Sequence, residues 1–434
     1  MTSRRLLACA ALVALAFASG GSAGGTARVA VVLDNVRLVD GTGAPPVARG
    51  RVVIRDGRIA AAGAADSVAV PEGAQRLDLS GRTVTPGLID LHFHIEDDPR
   101  LALRQLSHGV TAFRDPGQWE HKFEELRQMI AADALPGPRI FTAGPHIDGE
   151  RPAYPKDAVV ARDAEEARRL AERNIDEGAT SLKIYFRLPM AGVRAVAATC
   201  QARGVPCTSH NELLDAADVL EAGVHGFEHV TSLGAGLLPR VEAEAYRQAV
   251  LLSNDARRDG RYVAFAGLDL DGPQARALWA VVGRTRPWLT ATLAVFERRA
   301  GQLPKGTTPE MAPVLVAGFE KMRQTARRAS LEGARLVLGG HSVVPFAQRG
   351  EAPWRELELL VESGLTPLEA LTAATGTAAA FLYRGDQFGT LRPGLLADLV
   401  VFRDDPSQRI AAIRSVERVM IEGRWVDVDR YRAY

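Results

Sequence analysis

The sequence predicts an α/β protein, a (β/α)8 TIM-type barrel carrying a small β-sandwich made from both chain ends. Three observations predict it. Strand-like apolar runs alternate with helical ones between residues 86 and 385, β-rich runs broken by turn signals occupy both ends, and histidines fall where inner strands should stop.

Residues 1–24 read as an export signal. Arg4 and Arg5 supply a positive start, residues 6–18 an apolar run, and residues 19–25 a small-residue cleavage zone. The apolar run is about 13 residues, short of the roughly 20 that span a bilayer. The expectation is an exported protein, periplasmic or secreted, with no membrane association once the signal is removed. Ser3-Arg4-Arg5-Leu6-Leu7 resembles a twin-arginine signal, so the export route stays open. Cys9 precedes most of the apolar run, and lipidation is not expected.

Residues 25–85 form the N-terminal part of the predicted β-sandwich, with strand-like runs at 29–33, 52–55, 58–61 and 76–78. Asp40-Gly41, Asp56-Gly57 and Ser80-Gly81 mark turns between them, as an antiparallel domain requires. The barrel follows over 86–385, with strands near 88–94, 109–114, 138–143, 180–186, 205–210, 224–229, 287–293 and 334–340. Helices are expected between them, for example over 164–177, 191–203 and 213–222. The weakest stretch is 242–286, read as an insertion between units six and seven. Residues 386–434 return to strand-like runs at 397–402, 416–421 and 424–428, which should pair with the N-terminal part.

Composition narrows the partners. Lys plus Arg (53) balances Asp plus Glu (52), so no global field draws nucleic acid or an acidic membrane surface. A small-molecule substrate fits better, and a homo-oligomer is neither required nor excluded. Beyond the signal only Cys200 and Cys207 remain, a disulfide or two buried thiols.

The chemistry-bearing residues lie at predicted strand ends. Pro86-Gly87-Leu88-Ile89-Asp90-Leu91-His92-Phe93-His94 puts two imidazoles on one face of a strand. His210 and His229 end two further strands. Four histidines from three strands suit divalent zinc, with manganese, iron or cobalt as alternatives. Lys183 lies inside an apolar strand, where an unpaired ammonium is costly. His108, His121 and His225 take structural readings, while His146 reaches the mouth as a substrate contact. Arg114 is explained as well by a structural salt bridge.

These segments, with His108-Gly109-Val110-Thr111, Arg114-Asp115-Pro116-Gly117 and Gly364-Leu365-Thr366-Pro367, resemble the amidohydrolase superfamily over nearly the whole mature chain. The closer likeness is to its imidazolonepropionase-like and exported prolidase-like dipeptidase branch. The resemblance implies one or two divalent metal ions, most simply zinc. His92 and His94 would bind the deeper ion, His210 and His229 the more exposed one, and Lys183, carboxylated by carbon dioxide, would bridge them. It also implies that Tyr185 helps hold a substrate carboxylate. The expected activity is cleavage of a small amide, a dipeptide or N-acyl amino acid, by metal-activated water.

One position departs from the pattern. Family members end the eighth strand with an aspartate that binds metal and shuttles a proton. Here Leu338-Gly339-Gly340-His341-Ser342 puts His341 in its place. His341 as catalytic ligand or base, a changed site with one metal or a different reaction such as lactone or ester cleavage, and a binding protein without hydrolysis all remain open. Asp115 and Asp148 are the loop carboxylates that stand closest as substitutes.

Overall fold

A computed structural model describes residues 29–95, 98–133 and 136–434. The export signal and Cys9 lie outside these residues. All eight expected parallel strands are present, all but the second narrower than read and the second shifted by one residue: Leu88–Asp90, Val110–Asp115, Arg139–Thr142, Leu182–Ile184, Cys207–Ser209, Gly226–Glu228, Trp288–Thr290 and Arg335–Val337. They fall into two sheets. The first three form one, and the other five continue a second whose far edge adds His146–Asp148 and Ala158–Val160. Those two extra strands correct a reading of the segment as loop. Ile147 is buried between His146 and Asp148, and Val159 is buried between half-buried Ala158 and Val160, runs of three that are too short for a strand signal to stand out.

Backbone hydrogen bonds also run between the two sheets. Leu91 N donates to Leu338 O (2.9 Å) at one junction, and Thr180 N to Thr142 O (2.9 Å) at the other. Helices connect the strands. Ala164–Asp176 begins where Asp163 accepts from Glu166 N (2.8 Å), and Pro367–Ala373 carries a reciprocal Thr366/Glu369 capping box. The stretch read as an insertion is mostly helical, with Arg240–Leu252, Asn254–Ala266 and Pro273–Thr285.

The two chain ends meet in one eight-stranded sheet. Val31–Leu38, Val47–Arg55, Arg58–Ala64, Gln75–Asp78 and Thr83–Pro86 come from the N-terminal side, and Leu399–Phe402, Val416–Ile421 and Arg424–Trp425 from the C-terminal side. Thr83–Pro86 pairs antiparallel with Leu399–Phe402 and joins the two sets. The expected all-antiparallel pairing is corrected, since Val31–Leu38 runs parallel to both Gln75–Asp78 and Thr83–Pro86. An irregularity between Leu33 and Val36, with Asn35 at φ 57°, divides the strand so that each half takes a different neighbour. Leu33, Val52, Ile54, Val84, Leu399, Val401 and Met420 form the core of this region.

Candidate active site

The inner strands are buried, and their C-terminal ends converge on one cavity of about 400 Å³. His94, His146, Lys183, Tyr185, His210, His229 and His341 line it. His92 sits just beneath, fully buried. The strand expected over 88–94 stops at Asp90, so both His92 and His94 lie beyond its regular part. Asp90 turns the chain there, its Oδ1 accepting from His92 N (3.0 Å) and Gly340 N (2.8 Å).

His92, His229 and His341 bring ligand atoms within 4.8 Å of one another. Ring centroids of His92 lie 5.0 Å from His94, 4.6 Å from His229 and 5.1 Å from His341, and His229 lies 4.5 Å from His210. Three of the buried rings are held by a hydrogen bond on one nitrogen. His92 Nδ1 donates to Glu228 Oε2 (2.6 Å), leaving Nε2 buried with no partner. His210 Nε2 donates to Glu212 Oε1 (2.9 Å), leaving Nδ1 in the same condition. His229 Nδ1 bonds Thr292 Oγ1 (2.6 Å), whose own hydrogen goes to Ala291 O. Orphaned imidazole nitrogens on buried rings, oriented by carboxylates behind them, fit a divalent cation.

Electrostatics keep these rings neutral, the form that offers a lone pair. Burial lowers His92 and His210 to about 3, against the upward pull of Glu228 and Glu212 respectively. Burial, then the positive potential of His94, His92 and Lys183, holds His341 well below the ordinary histidine value. Lys183 is brought down by burial to about 8, Glu228 opposing. Burial alone would raise the Glu228 carboxyl, but Arg114, His92 and Lys183 keep it well below the usual range. Glu228 also accepts from Thr208 Oγ1 and Thr290 Oγ1 (2.6 Å each).

Arg114 is buried and bridges Glu228 (2.6 Å), Ser181 (2.7 Å), Thr208 (3.0 Å) and Leu91 O (3.2 Å), tying three strands together beneath the site. Tyr185 packs on His146 (centroids 4.3 Å) and His210 (4.7 Å) as one aromatic wall. Asp115 binds Ile95 N (2.8 Å) and Gly117 N (3.1 Å) and stands 3.5 Å from His94 Nδ1. Asp148 clamps Gly149 N and Arg187 N (2.9 Å each). His225 contacts Cys207, and both thiols are free and buried.

The backbone around His341 is unusual. His341 (φ 59°) and Ser342 (φ 56°) are both left-handed and are buckled to the first strand's extension. His341 N donates to His92 O (2.7 Å), while Ser342 Oγ accepts from His94 N (2.7 Å) and donates to His94 O (2.8 Å). Gly339 permits this approach, since a Cβ there would lie 2.9 Å from that of His92.

Sequence reasoning missed Glu212, Arg257 and Arg261. Glu212 is two residues past His210 and buried, and both arginines reach it from the helix Asn254–Ala266.

Parallel strands thus deliver histidines and a buried lysine to one cavity, an arrangement suited to an enzyme of the metal-binding class. The chain belongs to the amidohydrolase family: the Amidohydrolase family model matches residues 83–426. It is similar to the imidazolonepropionase of Klebsiella pneumoniae subsp. pneumoniae, 26% identical over 386 residues and covering 82% of this chain and 86% of that one. Among solved structures, a candidate prolidase from Bifidobacterium longum matches with a TM-score of 0.70 at 25% identity, covering 94% of this chain and 99% of that one. A Xaa-Pro dipeptidase with bound methionine matches at a TM-score of 0.70 and 20% identity, over 91% of this chain and 99% of that one, a likeness of fold. The family is generally metal-dependent, and this chain is a hydrolase acting on carbon–nitrogen bonds of a small molecule. No helix among the described residues is long and apolar enough to cross a membrane.

Proposed function

We propose that the protein is an exported, metal-dependent amidohydrolase that cleaves a dipeptide or N-acyl amino acid, with His341 moving the proton. The observation that carries this is the His92, His229 and His341 cluster, with ligand atoms within 4.8 Å under the cavity. His92, His94, His210 and His229 would hold one or two divalent ions, most simply zinc, with Lys183 as a carboxylated bridge. Support for the bridge is a buried amine near pKa 8, basic enough to react with carbon dioxide and available in its free form near neutrality. Such an ion supplies Lewis acidity, lowering the pKa of water and polarising the amide carbonyl. His341, which lines the cavity beside His92 and His94, would take the proton from the attacking water and return it to the leaving nitrogen. Tyr185 and His146 contact substrate from the opposite wall.

The reading includes an architecture. The two parallel sheets close as one (β/α)8 barrel over 86–385, in keeping with the Leu91–Leu338 and Thr142–Thr180 hydrogen bonds. Residues 25–85 and 386–434 make the second domain, and 1–24 are removed on export.

His341 also favours a second reading, a lactonase or esterase, because an alkoxide leaves with less help from a proton than an amine does. Metal content and turnover of a dipeptide, N-acyl amino acid and lactone panel, compared for wild type, His341→Asp and His341→Ala, decide between them. Amide turnover in the wild type, abolished in His341→Ala, is the expected result. Turnover of lactones alone would establish the second reading. A metal-loaded wild type inert on the panel, gaining hydrolysis as His341→Asp, would make it a binding protein and overturn both.

A further inference from the structure

The turn after the inner strand Trp288–Thr290 is held in a conformation that its own sequence resists. Thr292 is buried and left-handed (φ 49°), a backbone that a β-branched residue keeps only when its surroundings fix it. That conformation presents the hydroxyl to a neighbouring strand end. Thr292 Oγ1 donates to Ala291 O (2.8 Å) and accepts from His229 Nδ1 (2.6 Å), which leaves the other nitrogen of that ring for the histidine cluster. The next residues, Leu293–Phe296, bring Val295 and Phe296 to the cavity, and the Phe296 ring meets that of His229 edge-on (centroids 5.7 Å).

The grip on this turn comes from another helix. Ala352–Glu362, which follows the last inner strand, reaches the turn with two consecutive side chains. Glu356, fully buried, accepts from Ala294 N through Oε2 (2.8 Å). Arg355 forks onto Glu297, Nε to Oε2 (2.9 Å) and Nη2 to Oε1 (2.8 Å). The segment is therefore held at both ends, and Tyr262 adds a bond from its hydroxyl to Phe296 O (3.0 Å). Filling space does not explain Glu356, because an apolar residue of that length would do so without burying a carboxyl whose Oε1 has no partner. Burial pushes that carboxyl up to about 8, against the pull of the Ala294 and Leu293 amides and with Asp90 adding to the rise. It is chiefly neutral at pH 7 and works as a hydrogen-bond acceptor.

We propose that Glu356 is a positioning residue for the metal centre: by holding Ala294 N it keeps Thr292 left-handed, and so keeps the Thr292 hydroxyl on His229. The assignment rests on the metal-dependent reading of the site. A hydrogen bond behind a ligating imidazole sets both its tautomer and its direction. Without the anchor, residue 292 relaxes to right-handed or extended backbone, its hydroxyl leaves His229 Nδ1, and the ring is free to turn.

The test is zinc affinity of the full chain by competition with a chelator, for wild type, Glu356→Gln, Glu356→Met, Thr292→Val and the double variant Glu356→Met with Thr292→Val, circular dichroism verifying each fold. Glu356→Met fills the space but cannot take the place of the carboxyl oxygen, and should weaken zinc binding about tenfold or more. Glu356→Gln keeps a neutral acceptor and should stay close to wild type. Thr292→Val should lose as much as Glu356→Met, and the double variant should be no weaker than either, since both act through one bond. Wild-type affinity in Glu356→Met, a loss in Glu356→Gln as large as that in Glu356→Met, or losses that multiply in the double variant would overturn the assignment while leaving the metal-dependent reading in place. Glu356→Leu carries the same comparison if the methionine variant does not fold. A wild type to which no zinc binds would retire that reading and the assignment together.

Discussion

In the sheet made from the chain ends, non-glycine residues with positive φ occupy a bulge or turns, namely Asn35, Asp56 and Glu422; at the mouth of the parallel strands they are His229, Thr292, His341 and Ser342. The same contrast holds for hydrogen bonding. In the sheet, the buried Asp34 is engaged by Arg51, Arg76 and Asn35 N, whereas at the mouth His92 Nε2, His210 Nδ1, Glu212 Oε2 and Arg257 Nε are buried without partners. The sheet pairs its buried charges, and even Arg37 Nε, which lacks a hydrogen bond, lies 2.5 Å from Asp405 Oδ2. The mouth holds strained backbone and unpaired donors and acceptors in place through its surroundings, which is what a site awaiting a ligand requires.

Four measurements would break or sharpen that comparison. Glu228→Gln should have the largest effect, because it leaves Arg114 buried without its counter-charge; denaturant unfolding should show a loss of about 3–5 kcal/mol. A loss below about 1 kcal/mol would mean that the support beneath the mouth is not electrostatic. Leu33→Ala, in the sheet core, should cost about 3 kcal/mol by cavity formation while leaving metal content unchanged. Loss of metal from that variant would show that the two regions are coupled. Glu212→Gln should weaken metal affinity about 10–100-fold, read by competition with a chelator, and should lower stability as well, because it leaves Arg257 and Arg261 buried without their counter-charge.

The smallest effect is that of pH on the sheet. Although burial works to raise Asp34, its bonds to Arg51 and Arg76 hold the folded carboxyl below its ordinary value. Its contribution is therefore present above about pH 4 and lost as pH falls through the folded value. Asp34→Asn should be less stable than wild type at pH 7, and the gap should close below pH 4 in acid-unfolding curves. A gap that persists at lower pH would remove the charge from the explanation.

The strand-borne part of the site was legible because parallel strands end where barrel chemistry is done. His210 and His229 close short apolar runs, Lys183 interrupts one, and Pro86 to His94 reads as a strand leading to a pair of imidazoles. What the sequence hid came from helices and from tertiary pairing. Arg257 and Arg261 sit in a stretch rich in charge and weak in periodicity, indistinguishable from a solvated helix face until the fold sets it over the cavity. Glu212 could have been suspected from its place two residues past His210, but the partners that give it meaning lie 45 and 49 residues away. The parallel pairings of Val31–Leu38 were hidden for a similar reason, since alternation reveals a strand but not the direction of its neighbour.

The left-handed pair at His341 and Ser342 bears on how such a site changes over evolutionary time. Few side chains tolerate that backbone, and histidine, aspartate and asparagine are among them, whereas β-branched residues are not. Position 341 is therefore restricted to a short menu whose members differ in charge and proton affinity far more than in conformational cost. Exchange between aspartate and histidine leaves the chain path intact, so a lineage can alter its proton-transfer chemistry in one step without rebuilding the loop that carries it.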